Sequence, residues 1–217
     1  MLFRSLVSGI PKGRTNMKEN YYYSKNPDVK HEEKNFDFRL LGVDFKFVTD
    51  NGVFSKNTID FGSRVLIEAA GGLELGDKIL DVGCGYGPIG LSLAKKNPGA
   101  MVEMVDVNEL ALELAKKNAA KNTIQNVSIH ESSIYENVEE TNFSTIVTNP
   151  PIRAGKEVVH GILLSGIDHL KEGGMILAVL QKKQGAPSAM KKMEETYGNC
   201  ETIAKEKGYY VLKSVKE

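Results

Sequence analysis

The sequence is poor in the residues that build disulfide frameworks, metal sites and membrane spans. Its 217 residues contain two cysteines, four histidines and no tryptophan. Cys84 and Cys200 are too few for a disulfide framework and lack the paired spacing of zinc ligands, which favours a reducing cytoplasm. The histidines form no ligand pattern, so we expect no metal. No apolar run reaches the roughly 18 to 20 residues that cross a bilayer, and we expect a cytoplasmic protein without a membrane partner.

An excess of charge of one sign is also missing. The 28 basic side chains are balanced by 28 acidic ones, which argues against a strongly cationic nucleic-acid binder. The first sixteen residues contain no acid and superficially suit a targeting peptide. However, Met17 begins an ordinary polar protein start. We therefore interpret residues 1–16 as a disordered leader or as residues added upstream, and we expect the folded domain to be 17–217.

The first half of that domain predicts a hairpin followed by a helix. Apolar residues alternate on both sides of Gly42, the pattern of a β-hairpin with one buried face. Asp60 precedes an apolar spacing typical of a helix and is the expected N-cap. Within this one domain we expect the hairpin and lid helix at about 34–71 and the catalytic core at 77–217.

From Lys78 onward, strand-like and helix-like segments alternate. Strands are predicted at 78–82, 101–106, 127–130, 144–148 and 174–180, and helices at 88–96, 108–121, 156–170 and 186–197. The last residues predict an antiparallel hairpin that turns at Lys207–Gly208. Such alternation implies right-handed crossovers and a parallel sheet covered on both faces. The expected fold class is α/β, with a Rossmann-like, seven-stranded, mostly parallel sheet.

Glycines follow the first strand of the core, in the stretch LDVGCGYGPIG. Gly83, Gly85 and Gly87 permit a sharp strand-to-helix turn and let a ligand approach the backbone. The segment also satisfies G-x-G-x-x-G, and Asp106 ends the next strand about 20 residues later, as in dinucleotide-binding folds. An NAD-linked oxidoreductase is therefore one interpretation of this region.

Asp81 favours a different ligand. Its carboxylate precedes the glycines, where it would repel a pyrophosphate and attract a cation. The order Asp81-x-Gly83-x-Gly85-x-Gly87 resembles the first motif of class I S-adenosylmethionine-dependent methyltransferases. That resemblance implies S-adenosyl-L-methionine as cofactor, with Asp106 accepting hydrogen bonds from the two ribose hydroxyls. The implied cofactor-binding residues are Asp81, Gly83, Cys84, Gly85, Gly87, Asp106, Val107, Ser133 and Asn149.

The stretch TNPPIRAG ends the fourth core strand with two prolines, which supply no backbone N–H. It resembles the Asn/Asp/Ser-Pro-Pro-aromatic motif of methyltransferases that act on amino or amide nitrogens. The resemblance implies that Asn149, Pro150 and Pro151 are catalytic. An exocyclic amine that donates to the Asn149 side-chain oxygen and the Pro150 carbonyl would aim its lone pair at the methyl group. Catalysis would then rest on alignment, without a strong base.

The segment TDNGVFSKNTIDFGSRVLI narrows the resemblance. Together with the two motifs above, it resembles the small-subunit (16S) rRNA guanine-N2 methyltransferases in a single-domain form, over about residues 20–217. This implies methylation of guanine N2, with small-subunit rRNA or the small ribosomal subunit as partner. We expect a monomer or weak dimer. It also places Phe54 and Ser55 near the pocket and Asp60, Gly62 and Ser63 on the lid helix.

Two residues depart from the family pattern. Ser133 stands where an acid often binds the adenine amino group, and Ile152 stands where an aromatic side chain often stacks on the target ring. Cations after the strands, Lys156 among them, are candidate phosphate contacts. The predicted substrate-binding residues are Phe54, Ile152, Arg153, Lys182 and Lys183.

Two further interpretations stay open at this point. The same Asn-Pro-Pro geometry would serve a protein glutamine amide, so a protein N5-methyltransferase is the first alternative. A non-catalytic RNA-binding assembly factor that retains the cofactor fold is another.

Overall fold

The computed structural model describes residues 32–53, 55 and 57–217. The predicted leader of residues 1–16 and the predicted pocket residue Phe54 lie outside the described residues. The hairpin predicted around Gly42 is confirmed as strands β1 (Lys34–Leu40) and β2 (Val43–Thr49), which form a separate antiparallel sheet. Leu41 and Gly42 both have positive φ, 49° and 78°. Both central residues of a type I′ turn need positive φ, which explains the glycine here.

The helix predicted after Asp60 is confirmed as α1 (Phe61–Gly71). The Ser63 amide donates to Oδ1 of Asp60 at 3.0 Å, so Asp60 is the N-cap. The buried positions of the helix include Val65 and Leu66, which join the core. The helix packs against α2 (Pro88–Lys96) and against β7 (Leu170–Gln181) of the main sheet.

The main sheet has seven strands in the order β5-β4-β3-β6-β7-β9-β8. Its strands are β3 (Lys78–Val82), β4 (Met101–Asp106), β5 (Val127–Glu131), β6 (Phe143–Thr148), β7 (Leu170–Gln181), β8 (Glu201–Glu206) and β9 (Tyr209–Val215). Its helices are α2 (Pro88–Lys96), α3 (Glu109–Lys121), α4 (Lys156–Ser165) and α5 (Ala186–Tyr197). All pairs from β5 to β7 are parallel, and β9 is antiparallel to both neighbours. The predicted fold class is confirmed.

The connection between α4 and β7 differs from the prediction. The helix ends at Ser165 and gives way to a single 3₁₀ turn, Gly166–His169, and β7 begins at Leu170, four residues before the predicted strand. Gly166 lies against the hydroxyls of Tyr135 and Tyr197, which an added Cβ would approach to 2.9 and 3.1 Å. This close packing at the end of the helix is tertiary, and local sequence does not signal it.

Strand order brings the functional loops to one edge. The chain steps outward from β3 to β4 and β5, then returns to place β6 on the other side of β3. In open parallel sheets a crevice forms at this reversal, outside the carboxyl ends of the strands. The hairpin is joined to the same domain because the Asn118 side chain of α3 hydrogen-bonds both the Val48 amide and the Val48 carbonyl. None of the described helices is long and apolar enough to cross a membrane.

Candidate active site

A cleft of about 690 Å³ opens at the carboxyl ends of β3, β4, β6 and β7. It brings together the glycine loop after β3, the end of β4, the Asn-Pro-Pro turn after β6 and the first turn of α1. The predicted site residues that line it are Gly83, Cys84, Gly85, Asp106, Asn149, Pro150, Pro151, Ile152 and Arg153. The two motifs found separately in the sequence therefore face one shared space.

The glycine loop leaves open space beside its backbone. Gly83 and Gly85 have φ of 75° and 56°, and a Cβ added at either would meet nothing within 4 Å. The amides of Gly83 and Cys84 both donate to the Val105 carbonyl, at 2.9 and 3.0 Å, which ties the loop to β4. The glycines here serve the backbone conformation and the approach of a ligand. Gly87 also has a left-handed φ, 99°, and has a packing role in addition, because an added Cβ would lie 2.8 Å from Cδ1 of Leu91.

Asp106 presents its carboxylate to the cleft. Oδ2 accepts from the Gly85 amide at 2.8 Å, and Oδ1 accepts from the Asn108 amide at 2.9 Å. Burial raises the pKa of this carboxyl, although the amides of Asn108, Gly85 and Val107 oppose that shift. Each oxygen has a second lone pair for another donor. An oriented acceptor beside an open glycine loop fits a vicinal diol, such as the ribose of a nucleoside cofactor.

Asp81 lies beneath this loop. Its side chain is fully buried and is absent from the cleft lining. Oδ2 accepts from the Gly90 amide in the first turn of α2 at 2.8 Å, and Oδ1 has no hydrogen-bond partner. Burial raises the pKa of this carboxyl to about 7. The structure therefore assigns Asp81 to the support of α2, and its predicted contact with the cofactor would need Oδ1 to become accessible.

Asn149 follows β6 and enters the cleft. Its side-chain nitrogen donates to Oδ1 of Asp60 at 3.1 Å and to Oγ of Ser63 at 3.0 Å. Pairing of β6 with β7 extends to Thr148, and Pro150 and Pro151 follow. The predicted end of the strand at the Asn-Pro-Pro turn is confirmed. The side-chain oxygen of Asn149 is the atom left to meet a ligand.

Several predicted contacts do not line the cleft. Val107 and Ser133 are half-buried, and Lys156, Lys182 and Lys183 are exposed. Lys182 and Lys183 directly follow Gln181, which lines the cleft, so these two lysines lie at the rim of the cleft. The roles predicted for these residues stay predictions. Among the described residues, no group of three or more histidine, cysteine or acidic side chains could hold a metal ion.

Sequence reasoning missed several lining residues, among them Tyr86, Asn108, Gln181 and Tyr209. The Gln181 side chain donates to the Tyr209 hydroxyl, and the Tyr209 ring lies 5.5 Å from that of Phe61. Tyr209 reaches the cleft only because β9 inserts antiparallel between β7 and β8. No local signal around Gly208 indicates this position.

The chain is similar in sequence to known proteins. The chain matches the family model described as "Methyltransferase small domain" over residues 44–213. "Uncharacterized protein YbxB" of Bacillus subtilis (strain 168) is 50% identical over 197 residues, which cover 90% of this chain and 98% of that protein. "Ribosomal RNA small subunit methyltransferase C" of Vibrio cholerae serotype O1 is 28% identical over 193 residues, or 87% of this chain and 55% of that protein.

A solved structure is similar as well. The T. thermophilus 16S rRNA N2 G1207 methyltransferase, in complex with AdoMet and guanosine, superposes with a TM-score of 0.77 at 29% identity. The match covers 85% of this chain and 51% of that one. This chain thus spans about half the length of the rRNA methyltransferases that it matches.

Proposed function

The chain belongs to the methyltransferase small domain family, and on that premise we propose that it methylates the exocyclic N2 amine of a guanine in small-subunit rRNA. Its fold is that of a class I methyltransferase, and its cofactor is S-adenosyl-L-methionine. Family membership decides against the NAD-linked interpretation. The observation that carries the proposal is that Asn149 and Pro150 share one cleft with Asp106 and the glycine loop.

The residues around Asp106 fit the cofactor. The open space beside Gly83 and Gly85 admits a ligand against the backbone, and the Asp106 carboxylate is held by two amides in position to accept from ribose hydroxyls. When bound, S-adenosyl-L-methionine supplies an electrophilic methyl group on a sulfonium. The protein's task is to bring the amine nitrogen into line with that methyl.

Asn149 and Pro150 carry that task in the proposal. Amine N–H groups that donate to the Asn149 side-chain oxygen and the Pro150 carbonyl fix the nitrogen so that its lone pair points away from both acceptors. The ring of Pro150 holds its φ near −65°, and Pro151 restricts the ψ of Pro150, so this carbonyl is in place before the substrate arrives. Among the described residues that line the cleft, the carboxylates are Asp60, which accepts from Asn149 and the Ser63 amide, and Asp106, which the proposal assigns to the cofactor. This agrees with catalysis by alignment and charge placement, in which the amine proton leaves to water after transfer.

Two observations favour guanine in rRNA as the substrate: the activities named for related proteins and the positive charges at the rim of the cleft. Two related proteins are named as small-subunit rRNA methyltransferases, one of them solved with guanosine. The Lys182 amide donates to the Gly208 carbonyl at 2.8 Å, which joins the end of β7 to the β8–β9 turn. Lys182, Lys183, Lys205 and Lys207 are exposed on these two segments. Such cations beside a cleft suit RNA phosphates around an unpaired, extruded base.

A methyl-transfer assay tests the proposal. Labelled S-adenosylmethionine is offered with small ribosomal subunits, free rRNA or total protein, and labelled RNA is digested to nucleosides. Label recovered as N2-methylguanosine from small-subunit RNA is the expected result. Label in protein alone would move the substrate to a glutamine amide. RNA binding without any label would favour the assembly-factor interpretation.

A further inference from the structure

Asp60 and Ser63 hold the Asn149 amide from the first turn of α1. Oδ1 of Asp60 accepts two hydrogen bonds, from the Ser63 amide at 3.0 Å and from Asn149 Nδ2 at 3.1 Å. Ser63 Oγ lies 3.0 Å from the same Asn149 nitrogen. Both acceptors belong to the lid helix, 89 and 86 residues away in the chain. The helix cap and the Asn-Pro-Pro turn therefore share one carboxylate oxygen.

This arrangement fixes which end of the Asn149 amide faces the cleft. An ionised carboxylate accepts hydrogen bonds and cannot donate them, so the amide group toward Asp60 must be the NH₂. Its two N–H bonds are directed to Asp60 and Ser63. Only the oxygen remains for a ligand. A flipped amide would place its carbonyl oxygen against the carboxylate and would offer N–H groups to the amine, which itself donates.

We propose that Asp60 is a positioning residue for methyl transfer, which locks Asn149 as an acceptor, with Ser63 as its second anchor. This inference rests on the proposed function of Asn149. Asp60 acts through Asn149 without touching the reacting atoms. Substitution of Asp60 should therefore change the rate of methyl transfer and the orientation of the Asn149 amide. It should not change cofactor binding, which the proposal places on the Asp106 side of the cleft.

Three substitutions separate positioning from capping. Asp60→Ser keeps a good N-cap oxygen for the Ser63 amide, but the shorter side chain withdraws from Asn149. Asp60→Asn keeps an oxygen long enough for both donors. Ser63→Ala removes the second anchor and leaves the backbone amide that Asp60 caps. Asp44→Ser is the matched control, because Asp44 is exposed in the hairpin and pairs with Arg39.

The first measurement is kinetic, on the full chain. Asp60→Ser should lower kcat on the order of 10-fold, as expected for one lost charge-assisted hydrogen bond, while cofactor Kd and the urea midpoint stay near those of the parent. Asp60→Asn should recover most of that rate, and Asp44→Ser should match the parent. A parental kcat in Asp60→Ser would overturn the inference. A loss of cofactor affinity as large as the loss of kcat would overturn it as well.

The second measurement needs no turnover. In ¹⁵N NMR, the two side-chain amide protons of Asn149 should exchange slowly with solvent in the parent. The proton that is hydrogen-bonded to Asp60 should exchange on the order of 10-fold faster in Asp60→Ser. Unchanged exchange would overturn the inference even if the chain methylates guanine. If the Asn149 amide protons exchange as expected but the chain labels no RNA, the proposed function is overturned and the Asp60 contact still stands.

Discussion

The Gly85 amide donates a 2.8 Å hydrogen bond to Oδ2 of Asp106 across the ends of two neighbouring strands. The glycine loop after β3 and the acid at the end of β4 are thereby one structural unit. Gly85 adopts a left-handed φ of 56°, which directs its amide at the carboxylate. The acid is oriented before any ligand arrives, and this reduces the ordering that cofactor binding requires.

Replacing Asp106 should therefore act mainly on cofactor affinity. Asp106→Ala removes two oriented acceptors, and hydrogen bonds to charged groups contribute about 1.5–3 kcal/mol each, so Kd for S-adenosylmethionine should rise on the order of 100-fold. Asp106→Asn retains one acceptor oxygen and should lose less. Isothermal titration calorimetry measures both, with the urea midpoint as control for folding. A parental Kd in Asp106→Ala would contradict the assignment.

Asn149→Ala should have the complementary effect. The side chain contacts Asp60 and Ser63 and has no hydrogen bond to the glycine loop, so cofactor Kd should stay within a few-fold of the parent. Loss of one aligned acceptor should lower kcat by about 100-fold or more, by analogy with the removal of one preorganised hydrogen-bonding group from an active site. Single-turnover transfer to rRNA at saturating cofactor measures it. An active Asn149→Ala variant would remove the turn from the mechanism.

Asp81 should make stability depend on pH. Its pKa in the folded chain, about 7, exceeds the ordinary value of 3.8. Between these values the native state holds a proton that the unfolded state has released. Stability should fall as pH rises from about 4 to 7, by at most about 1.4 kcal/mol per pH unit, and level off above. Burial raises the pKa of Asp106 as well and acts in the same direction.

Urea unfolding of the cofactor-free protein between pH 5 and 8.5 measures this slope. Asp81→Asn keeps an acceptor for the Gly90 amide and does not titrate, so this variant should show a flatter profile and greater stability than the parent above pH 7. A slope unchanged by the substitution would mean that other groups produce it.

Local signals explain which parts of the fold the sequence predicts. Helix α2 begins at Pro88 and α5 ends before Gly198, which are common helix boundaries. Strands β3 and β4 are short apolar runs, and both have the predicted bounds. The early start of β7 was not predicted, because Leu170 pairs with Phe143 across a register shift that only the sheet shows.

The residues of the candidate site also fall into those that local sequence predicts and those that only the tertiary structure reveals. Asn149, Asp106, Gly83 and Gly85 were predicted from residue type and spacing, and the structure brings them to one cleft. Tyr209 and Gln181 reach the cleft through strand order, which no local pattern encodes. Asp81 was predicted as a cofactor-binding residue, and sequence alone does not show that its carboxylate is buried and accepts from the Gly90 amide of α2. Its contact with the cofactor stays a prediction.

Gly62→Ala should destabilise the protein although alanine favours helices. Helix propensity alone would give a gain of up to about 1 kcal/mol. However, a Cβ at Gly62 would lie 2.8 Å from Cε1 of Tyr209, in a ring held by Phe61 and Gln181. Overpacking of this kind costs about 1–3 kcal/mol, so a net loss is expected in urea unfolding. Gly99→Ala, whose Cβ would meet nothing within 4 Å, is the control and should not share this loss.

The lysines at the rim should act on RNA affinity and leave the cofactor site intact. Lys182→Ala with Lys183→Ala removes two exposed charges next to Gln181. Each phosphate contact to single-stranded RNA contributes about 0.7 to the slope of log K against log salt, so the double variant should lose up to about 1.4 from that slope. Filter binding of an rRNA fragment across a salt series measures it.

A matched pair makes the test specific. The double variant Lys95→Ala, Lys96→Ala removes the same charge from the last turn of α2. This turn lies at the amino ends of the strands, whereas the cleft lies at their carboxyl ends. Loss of net positive charge alone would lower RNA affinity equally in both double variants. A direct contact predicts that the slope falls only for Lys182 and Lys183. Because neither lysine lines the cleft, cofactor Kd should be unchanged in both variants. An equal slope in the two would assign the rim lysines to general surface charge and would require RNA to enter from another side of the cleft.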